Sequence, residues 1–258
     1  VYTHTPARYI WAPELDGRGQ GVAARAASSV LKPLDRRRAA EPVAIAANSA
    51  FIAARVERAW GREATVIHPP IDVSGFAHAQ PTDQTDDAVA GLPADYLLGV
   101  SRFVPYKRLE LVIDAGVVSG MPVVLAGGGP DEDRLRAFAA DRRHPVTFVR
   151  DPSSALLAAL YRGASALVFP AVEDFGIMPV EAMAAGTPVV ANAVGGVSES
   201  VVDGVTGALV HEWAGDGLRA AVERAVAAQP DACVQRAFQF DRPMFEARVA
   251  EWVKAATA

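Results

Sequence analysis

The sequence predicts an α/β fold built around a doubly wound parallel sheet, and two observations support that class. From residue 94 onward, short and continuously apolar segments alternate with helical ones, which is typical of parallel strands covered on both faces. Turns containing Gly and Pro separate these segments. Before residue 77 the strands are too few to cover the apolar helix faces, so we expect only part of a second α/β domain there.

The first 76 residues contain two predicted helices and short traces of strands. Val1–His4 has the pattern of the end of a strand and is not preceded by Met, so we expect the first strands of this domain to be missing. Helical patterns cover residues 20–40 and 50–60, and Ser49 is placed to cap the second helix. Residues 65–67 then form a predicted short strand.

The regular part of the chain repeats a strand followed by a helix. The predicted strands are Tyr96–Val100, Pro122–Ala126, Val146–Val149, Ala166–Pro170, Pro188–Ala191 and Ala208–Val210. The predicted helices are Leu109–Val118, Asp131–Ala140, Ser153–Arg162, Pro179–Ala185, Ser198–Val202, Leu218–Ala228 and Met244–Ala256. Ligands of such sheets lie at the carboxyl ends of the strands, so we expect functional residues directly after each strand.

These patterns divide the chain into four parts. Residues 1–76 are the predicted remnant of an N-terminal domain, and residues 77–93, which are polar and acidic, are a predicted linker. Residues 94–240 form a complete Rossmann-like domain, and residues 241–258 form a C-terminal helix.

Composition excludes several classes of function. The 258 residues are 51% hydrophobic with a net charge of −5, so no general attraction to nucleic acid is expected. The one cysteine, Cys233, excludes an internal disulfide and disfavours a cysteine-based metal site. No apolar run is long enough to cross a bilayer. A reducing, cytoplasmic location fits this composition.

An anion site is predicted after the first strand of the regular part. Ser101-Arg102 follows that strand, and Lys107 lies at the start of the next helix. A guanidinium binds phosphate oxygens in a bidentate way, and an ammonium adds a point charge beside a helix N-terminus. The alternative is that Arg102 and Lys107 are two solvated surface cations.

Glycines follow the second strand, at Gly127-Gly128-Gly129. They allow a backbone to approach a ligand or a facing domain closely, or they make a tight turn into a helix that Asp131 caps. The acids at 131–133 are better explained by the dipole at a helix start than by a metal site.

The segment after the strand ending at Pro170 is the most informative. Glu173 precedes a helix and Glu181 lies within its first turns, and between them the amides of residues 176–178 can point at a ligand. A carboxylate matches two hydroxyl donors, so Glu173 suits a sugar and Glu181 a ribose. The alternative for Glu181 alone is an acid that stabilises the helix start.

Glu173 and Glu181 match the E-x7-E motif of retaining GT-B glycosyltransferases of family 4, and the chain resembles that family over residues 43–256. The segments Ala184–Val190 and Gly195–Gly207 are similar to neighbouring motifs of the family. The opening residues 2–11 look like those of its bacterial mannosyltransferases.

The resemblance implies a GT-B fold and retaining transfer of a hexose, mannose above all, to a glycan or lipid-linked acceptor. It favours GDP-mannose over UDP-sugars as the donor, with no other cofactor and no metal, because two cations can stabilise the leaving diphosphate. The implied catalytic residues are Glu173, Arg102, Lys107 and His4. The implied donor-binding residues are Ser101, Gly128, Gly129, Val149, Arg150, Phe175, Gly176, Ile177, Met178 and Glu181, with the base near Val149 and Arg150.

Other hypotheses about the function remain open. The chain is alternatively a non-catalytic nucleotide-sugar-binding module, a fragment that needs a partner, or a sugar-nucleotide 2-epimerase. The family's last helix crosses back onto the N-terminal domain, and residues 241–258 are expected either to do the same or to form an amphipathic capping helix. Arg36–Arg38 either contact an anionic membrane surface at the inner face of the cell membrane or form a solvated helix face.

Overall fold

The computed structural model describes residues 1–11, 21–79, 85 and 88–257, with the backbone alone for Tyr9 and residues 22–25. The chain divides into two compact units. The first comprises Val1–Pro70 and Pro243–Ala258, and the second comprises Ile71–Arg242. A parallel sheet lies in each unit.

The first unit has a sheet of very short parallel strands. The strands are β1 (Tyr2–Thr3), β2 (Ala46–Ala47) and β3 (Thr65–Val66), in the order β1-β2-β3. The helices that follow them in this part of the chain are α1 (Arg8–Trp11), α2 (Val22–Ala39) and α3 (Ala50–Trp60). The predicted cap of α3 is confirmed, because Ser49 Oγ accepts a hydrogen bond from the amide of Ile52 at 3.1 Å.

The second unit contains a six-stranded sheet in which all neighbouring strands are parallel, in the order β6-β5-β4-β7-β8-β9. Its strands are β4 (Leu97–Arg102), β5 (Val123–Gly128), β6 (Val146–Val149), β7 (Ala166–Phe169), β8 (Val189–Asn192) and β9 (Gly207–Val210). Its helices are α4 (Val73–Ala77), α5 (Glu110–Ser119), α6 (Glu132–Arg142), α7 (Ser154–Gly163), α8 (Ile177–Ala184), α9 (Gly215–Val226) and α10 (Pro230–Ala237). This order confirms the predicted doubly wound sheet.

A last helix, α11 (Arg242–Thr257), supplies residues 243–257 of the first unit. Its Phe245 ring packs edge-on against Tyr2, with ring centroids 5.8 Å apart. None of the helices in the described part of the chain combines the length and the hydropathy that crossing a bilayer requires.

The six-stranded sheet is buried on both of its faces. Adjacent residues of a strand point to opposite faces, and Leu97 and Leu98 of β4 accordingly belong to different apolar clusters, both fully buried. In β7, Leu167 and Val168 divide in the same way. Continuously apolar strands are therefore explained by helices on both sides.

Several predicted elements differ from the observed ones. Helix α10 was not predicted, because its apolar stripe toward the core is short and rests on residues such as Cys233 and Ala237. The predicted helix at 198–202 is a 3₁₀ turn at Gly196–Glu199. Helix α8 begins at Ile177 instead of Pro179, since the preceding Gly176 already ends the loop.

The boundary between the units lies earlier than the predicted linker at 77–93. The amide of Ile71 donates to the carbonyl of Phe240 at 3.1 Å, so the segment from residue 71 packs with the second unit. Residues 80–84, 86 and 87 of the predicted linker lie outside the described residues.

Candidate functional site

Strand β4 ends at a turn that carries the two predicted cations. Ser101 is only 9% exposed, and its Oγ has no hydrogen-bond partner in the described part of the chain. Arg102 is exposed and donates from Nη2 to the Oη of Tyr106 at 2.8 Å. A 3₁₀ turn at Pro105–Lys107 follows. The turn therefore places a hydroxyl, a guanidinium and an ammonium at one edge of the sheet.

Lys107 and Glu173 form an ion pair across two strand ends. Lys107 Nζ lies 2.5 Å from Glu173 Oε1, and the two side chains are 11% and 18% exposed. One residue follows β4 and the other follows β7, which are neighbouring strands. The pair confirms that parallel strands bring these two sequence motifs, 66 residues apart, to one place.

The start of α8 presents backbone amides beside this pair. Gly176 adopts a φ of 88°, and α8 begins at the next residue. The first amides of a helix have no partner within it, so those of Ile177 and Met178 can donate to an anion. The loop before the helix is fixed because the amide of Gly196 donates to the carbonyl of Glu173 at 2.9 Å.

The Phe175 side chain belongs to the core, which corrects its place among donor-binding side chains. It is almost fully buried and packs against Phe240, with ring centroids 5.5 Å apart. Any contact of Phe175 with a ligand is therefore left to its backbone. The side chain of Ile177 is exposed, and that of Met178 lines a cavity described below.

Among the described residues, Glu181 makes one side-chain hydrogen bond, with a buried tyrosine. The Oη of Tyr161 donates to Glu181 Oε2 at 3.1 Å. Burial raises the pKa of Glu181, and the tyrosine hydrogen bond opposes that rise. Burial, together with the neighbouring carboxylate, raises the pKa of Tyr161 well above its ordinary value. Glu181 is thus a carboxylate with no cationic partner among the described residues, which leaves Oε1 able to accept from a ligand.

The glycine triplet packs the end of β5 against the end of β4. A Cβ on Gly127 would lie 1.9 Å from the carbonyl oxygen of Ser101, and one on Gly129 would lie 2.5 Å from that of Phe103. Both glycines also have positive φ angles, 133° and 152°. Close packing of two strand ends therefore requires Gly127 and Gly129, and Gly128 between them faces the cavity.

Arg150 is directed to an acid on α6. Its Nε lies 2.9 and 3.1 Å from the two carboxylate oxygens of Glu132, and Arg136 also donates to that carboxylate. The hydrogen bonds from Arg150 and Arg136 lower the pKa of Glu132. Val149 packs partly buried against the core. Glu132, one of the acids predicted to stabilise the helix start, is thus paired with arginines as well.

A cavity of about 480 Å³ joins the ends of β4, β5 and β6. Its lining residues share positions at or just after these strand ends or at the start of α8: Val100, Ser101, Arg102, Lys107, Ala126, Gly127, Gly128, Asp151, Pro152 and Met178. Asp151 and Pro152 were missed by the sequence analysis, which stopped at Arg150. Their position directly after β6 was the available signal.

His4, Glu173 and Glu181 are not among the residues that line this cavity. His4 follows β1 in the first unit, where its ring packs edge-on against Tyr2 at 5.3 Å, and its role at a donor sugar stays a prediction. Within residues 1–11, 21–79, 85 and 88–257, no three His, Cys, Asp or Glu side chains are grouped so that they could hold a metal ion.

Residues 85–238 of the chain match the family model described as "Glycosyl transferases group 1". A D-inositol 3-phosphate glycosyltransferase of Mycolicibacterium smegmatis is 36% identical over 191 residues, which are 68% of this chain and 43% of that protein. The enzyme of the same name from Mycobacterium bovis is 38% identical over 166 residues, 58% of this chain and 34% of that protein. The chain thus spans less than half the length of these curated relatives.

Solved structures resemble the fold at low sequence identity. HepE of Anabaena, in complex with UDP-glucose, superposes with a TM-score of 0.77 at 21% identity, covering 98% of this chain and 72% of HepE. Sucrose-phosphate synthase of Thermosynechococcus elongatus gives a TM-score of 0.75 at 20% identity, covering 98% of this chain and 66% of the synthase. These likenesses establish the GT-B architecture.

Proposed function

The chain belongs to the group 1 glycosyl transferases, and on that premise we propose that its second unit binds a nucleotide sugar whose hexose is transferred, with retention at the anomeric carbon, to an acceptor hydroxyl. The observation that carries the proposal is the convergence of Ser101, Arg102 and Lys107 on one cavity, with Glu173 bonded to Lys107.

The cationic edge of the cavity suits the diphosphate of the donor. Arg102 and Lys107 supply two positive charges, and Ser101 Oγ is a buried hydroxyl without a described partner. The amides at the start of α8 add dipoles of the same sign. Together these groups favour an oxyanion with several acceptor oxygens over a neutral ligand.

These residues would stabilise the charge that develops during transfer. The bond from the anomeric carbon to the diphosphate oxygen breaks, and its electron pair stays on the diphosphate. The acceptor oxygen bonds to the anomeric carbon as its proton passes to the departing diphosphate. Arg102 and Lys107 stabilise the departing diphosphate. Glu173, held by Lys107, orients hydroxyls of the sugar, and we assign it no covalent role.

Glu181 is proposed to accept the ribose hydroxyls. Its Oε2 is fixed by Tyr161, and Oε1 is left to a ligand. A carboxylate with one fixed oxygen is oriented for a vicinal diol. Its raised pKa, caused by burial, is typical of acids placed for a ligand instead of for an ion pair.

We propose that transfer needs no divalent metal, since two side-chain cations stand where a metal would stabilise the diphosphate. Transfer measured in excess EDTA is expected to continue. Activity that disappears in EDTA and returns with Mg²⁺ or Mn²⁺ would contradict this.

The family resemblance and the similar proteins support different donors and different acceptors. The mannosyltransferase-like opening segment supports GDP-mannose, whereas the UDP-glucose bound to Anabaena HepE supports a uridine donor. The resemblance supports a glycan or lipid-linked acceptor, whereas the names of the curated relatives support a phosphorylated inositol. Transfer assays pairing each donor with each acceptor class distinguish these, and donor binding without transfer or hydrolysis would support a binding module.

The diphosphate site is tested by removing its cations one at a time. Arg102→Ala and Lys107→Ala are each expected to weaken binding of a nucleoside diphosphate by about 1.5–3 kcal/mol, the range for charge-assisted hydrogen bonds. Isothermal titration with GDP and UDP measures this. Arg219→Ala, an exposed arginine on α9, is the matched control. Unchanged affinity in both variants would remove the two residues from the site.

A peripheral contact with an anionic membrane surface at the cytoplasmic face is proposed for α2. Its outward face exposes Val30 and Leu34, at 72% and 53%, beside the exposed Arg37 and Arg38. Apolar and basic side chains on one helix face suit an anionic lipid surface. Co-sedimentation with phosphatidylglycerol vesicles should exceed that with phosphatidylcholine vesicles and fall in Leu34→Glu. Equal sedimentation with both would refute the contact.

A further inference from the structure

The cavity contains one acid to which the proposed function gives no role. Asp151 follows β6 and lines the cavity together with Pro152. Its φ is 42°, a left-handed conformation that few residues other than Gly adopt, although Asp and Asn tolerate it best. The Asp151 amide donates to the carbonyl of Gly127 at 3.4 Å. The backbone of the turn is therefore tied to the neighbouring strand, from which the Asp151 side chain extends.

The carboxylate of Asp151 lies over the backbone of Gly128. A Cβ on Gly128 would be 3.1 Å from Asp151 Oδ1, and Gly128 itself lines the cavity. A side chain at position 128 would crowd the acid. The absence of one leaves the carboxylate room at the cavity wall.

Among the described residues, no cation forms an ion pair with the Asp151 carboxylate. Across the part of the chain that the structure describes, the Asp151 side chain makes no hydrogen bond and no ion pair. The adjacent Arg150 is bonded to Glu132 at 2.9 Å. The Asp151 residue is exposed, so water solvates its charge and the carboxylate is able to exchange that water for hydrogen bonds from a ligand.

The order of the strands separates this acid from the diphosphate site. β6 and β4 lie on either side of β5, so their ends are about 10 Å apart at the usual strand spacing. The cations of the β4 end take the diphosphate under the proposed function, and a carboxylate repels a diphosphate. A nucleotide lying along the sheet edge therefore places its neutral base, with its N–H groups, at the β6 end.

The bases differ in what they offer a carboxylate. Guanine presents a ring N–H and an amino group side by side, and these two donors match the two oxygens of a carboxylate. Uracil presents one N–H between two carbonyl oxygens, which a carboxylate repels. Adenine and cytosine present an amino group beside a ring nitrogen that is itself an acceptor. An unpaired carboxylate thus discriminates in favour of guanine.

We propose that Asp151 recognises the base of the nucleotide by hydrogen bonds and selects guanine. This assignment rests on the proposed nucleotide-sugar site. It specifies a GDP-linked donor from the chemistry of the cavity. Asp151 is accordingly a specificity-determining residue, separate from the groups that contact the diphosphate.

The test compares the binding of three nucleotides by the wild type and by one variant. Isothermal titration is carried out on the full chain and on Asp151→Asn, with GDP, UDP and inosine diphosphate, which lacks the amino group of guanine. The wild type is expected to bind GDP more tightly than UDP, and about tenfold more tightly than inosine diphosphate. Asp151→Asn is expected to lose about 10- to 100-fold in GDP affinity and most of the preference for GDP over inosine diphosphate.

UDP affinity should not fall in Asp151→Asn, because uracil has no paired donors for the carboxylate and its carbonyl oxygens are repelled by it. Asn is close to Asp in shape and tolerates the same left-handed backbone. An unchanged thermal unfolding temperature checks that the variant folds. If the variant does not fold, Asp151→Gly is used in its place, because glycine adopts a positive φ without strain.

Failure of this inference is distinguishable from failure of the proposed function. If the wild type binds UDP at least as tightly as GDP, or if Asp151→Asn weakens GDP and UDP alike, the role of Asp151 is refuted. The proposed function still stands in that case if Lys107→Ala weakens both nucleotides. If no nucleoside diphosphate binds the wild type, the proposed function and the role of Asp151 are refuted together.

Discussion

Glu132 and Glu181 each lie near the start of a helix that follows a strand of the same sheet, yet they are neutralised in opposite ways. Glu132, the first residue of α6, accepts hydrogen bonds from Arg136 and Arg150, which lower its pKa. Glu181, in the second turn of α8, accepts a hydrogen bond from the hydroxyl of Tyr161, and burial raises its pKa.

The difference separates an acid that stabilises the fold from one available to a ligand. Two arginines satisfy the acceptor sites of Glu132, so a ligand has little to gain there. Glu181 is removed from water without a compensating cation, which is unfavourable unless something else uses the carboxylate. Sequence position near a helix start predicts neither outcome, because it is the same for both acids.

The largest expected effect comes from the same substitution made at both acids. Glu181→Gln should weaken nucleoside diphosphate binding by about 1.5–3 kcal/mol, because the hydrogen bonds from the ribose lose their charged acceptor. Glu132→Gln is the matched control and should leave affinity within about twofold while lowering the thermal unfolding temperature. Isothermal titration and thermal unfolding of both variants measure this. If both lose affinity equally, the distinction between the two acids is wrong.

Tyr161→Phe tests the same comparison by removing the hydroxyl that donates a hydrogen bond to Glu181. Tyr161 is fully buried, and the substitution removes its hydroxyl but keeps the ring. Affinity for the nucleotide should fall by about 1 kcal/mol, because Glu181 is less well oriented. Affinity for 2′-deoxy nucleotides should fall less, because they offer Glu181 fewer hydroxyls. An equal loss for both would indicate a structural role alone.

Stability should depend on pH through Glu181. Its pKa in the folded protein is raised above the ordinary 4.5, so its contribution to stability is fully present below pH 4.5 and is lost as the pH rises through the raised value. Glu181→Gln lacks this loss. Thermal unfolding temperatures should therefore favour the variant increasingly as the pH rises from 4.5 through the raised pKa, and by a constant amount above it. A difference that is constant with pH would contradict the raised pKa.

The smallest effect is expected at Arg150. The guanidinium is directed to Glu132, so Arg150→Ala should change nucleotide affinity less than about twofold, with a small effect on stability because the side chain is largely exposed. Titration with GDP and UDP is the measurement. A loss of tenfold or more would return Arg150 to the donor site that the family resemblance gave it.

The strand ends were the most predictable part of the site. Alternating apolar strands and helices fixed a parallel sheet, and a parallel sheet collects the residues after its strands at one edge. Arg102, Lys107 and Glu173 were predicted on that basis, and the ion pair of Lys107 with Glu173 places two of them in contact.

Partners of side chains were not predictable in the same way. Arg150 and Asp151 are adjacent in sequence, but the first bonds to α6 and the second lines the cavity. The partners of Phe175 and Glu181 come from distant segments, through Phe240 and Tyr161. No spacing rule within one motif contains that information.

The sequence by itself determined the sheet, most of its helices and the edge at which we place the ligand, because hydrophobic periodicity and turn residues act over a few positions. The tertiary structure alone decided which charged groups are satisfied internally, such as Glu132, and which remain available, such as Glu181 and Asp151. The physical reason is that a charge is neutralised by whatever lies within a few ångströms of it, and packing brings those groups together from distant parts of the chain.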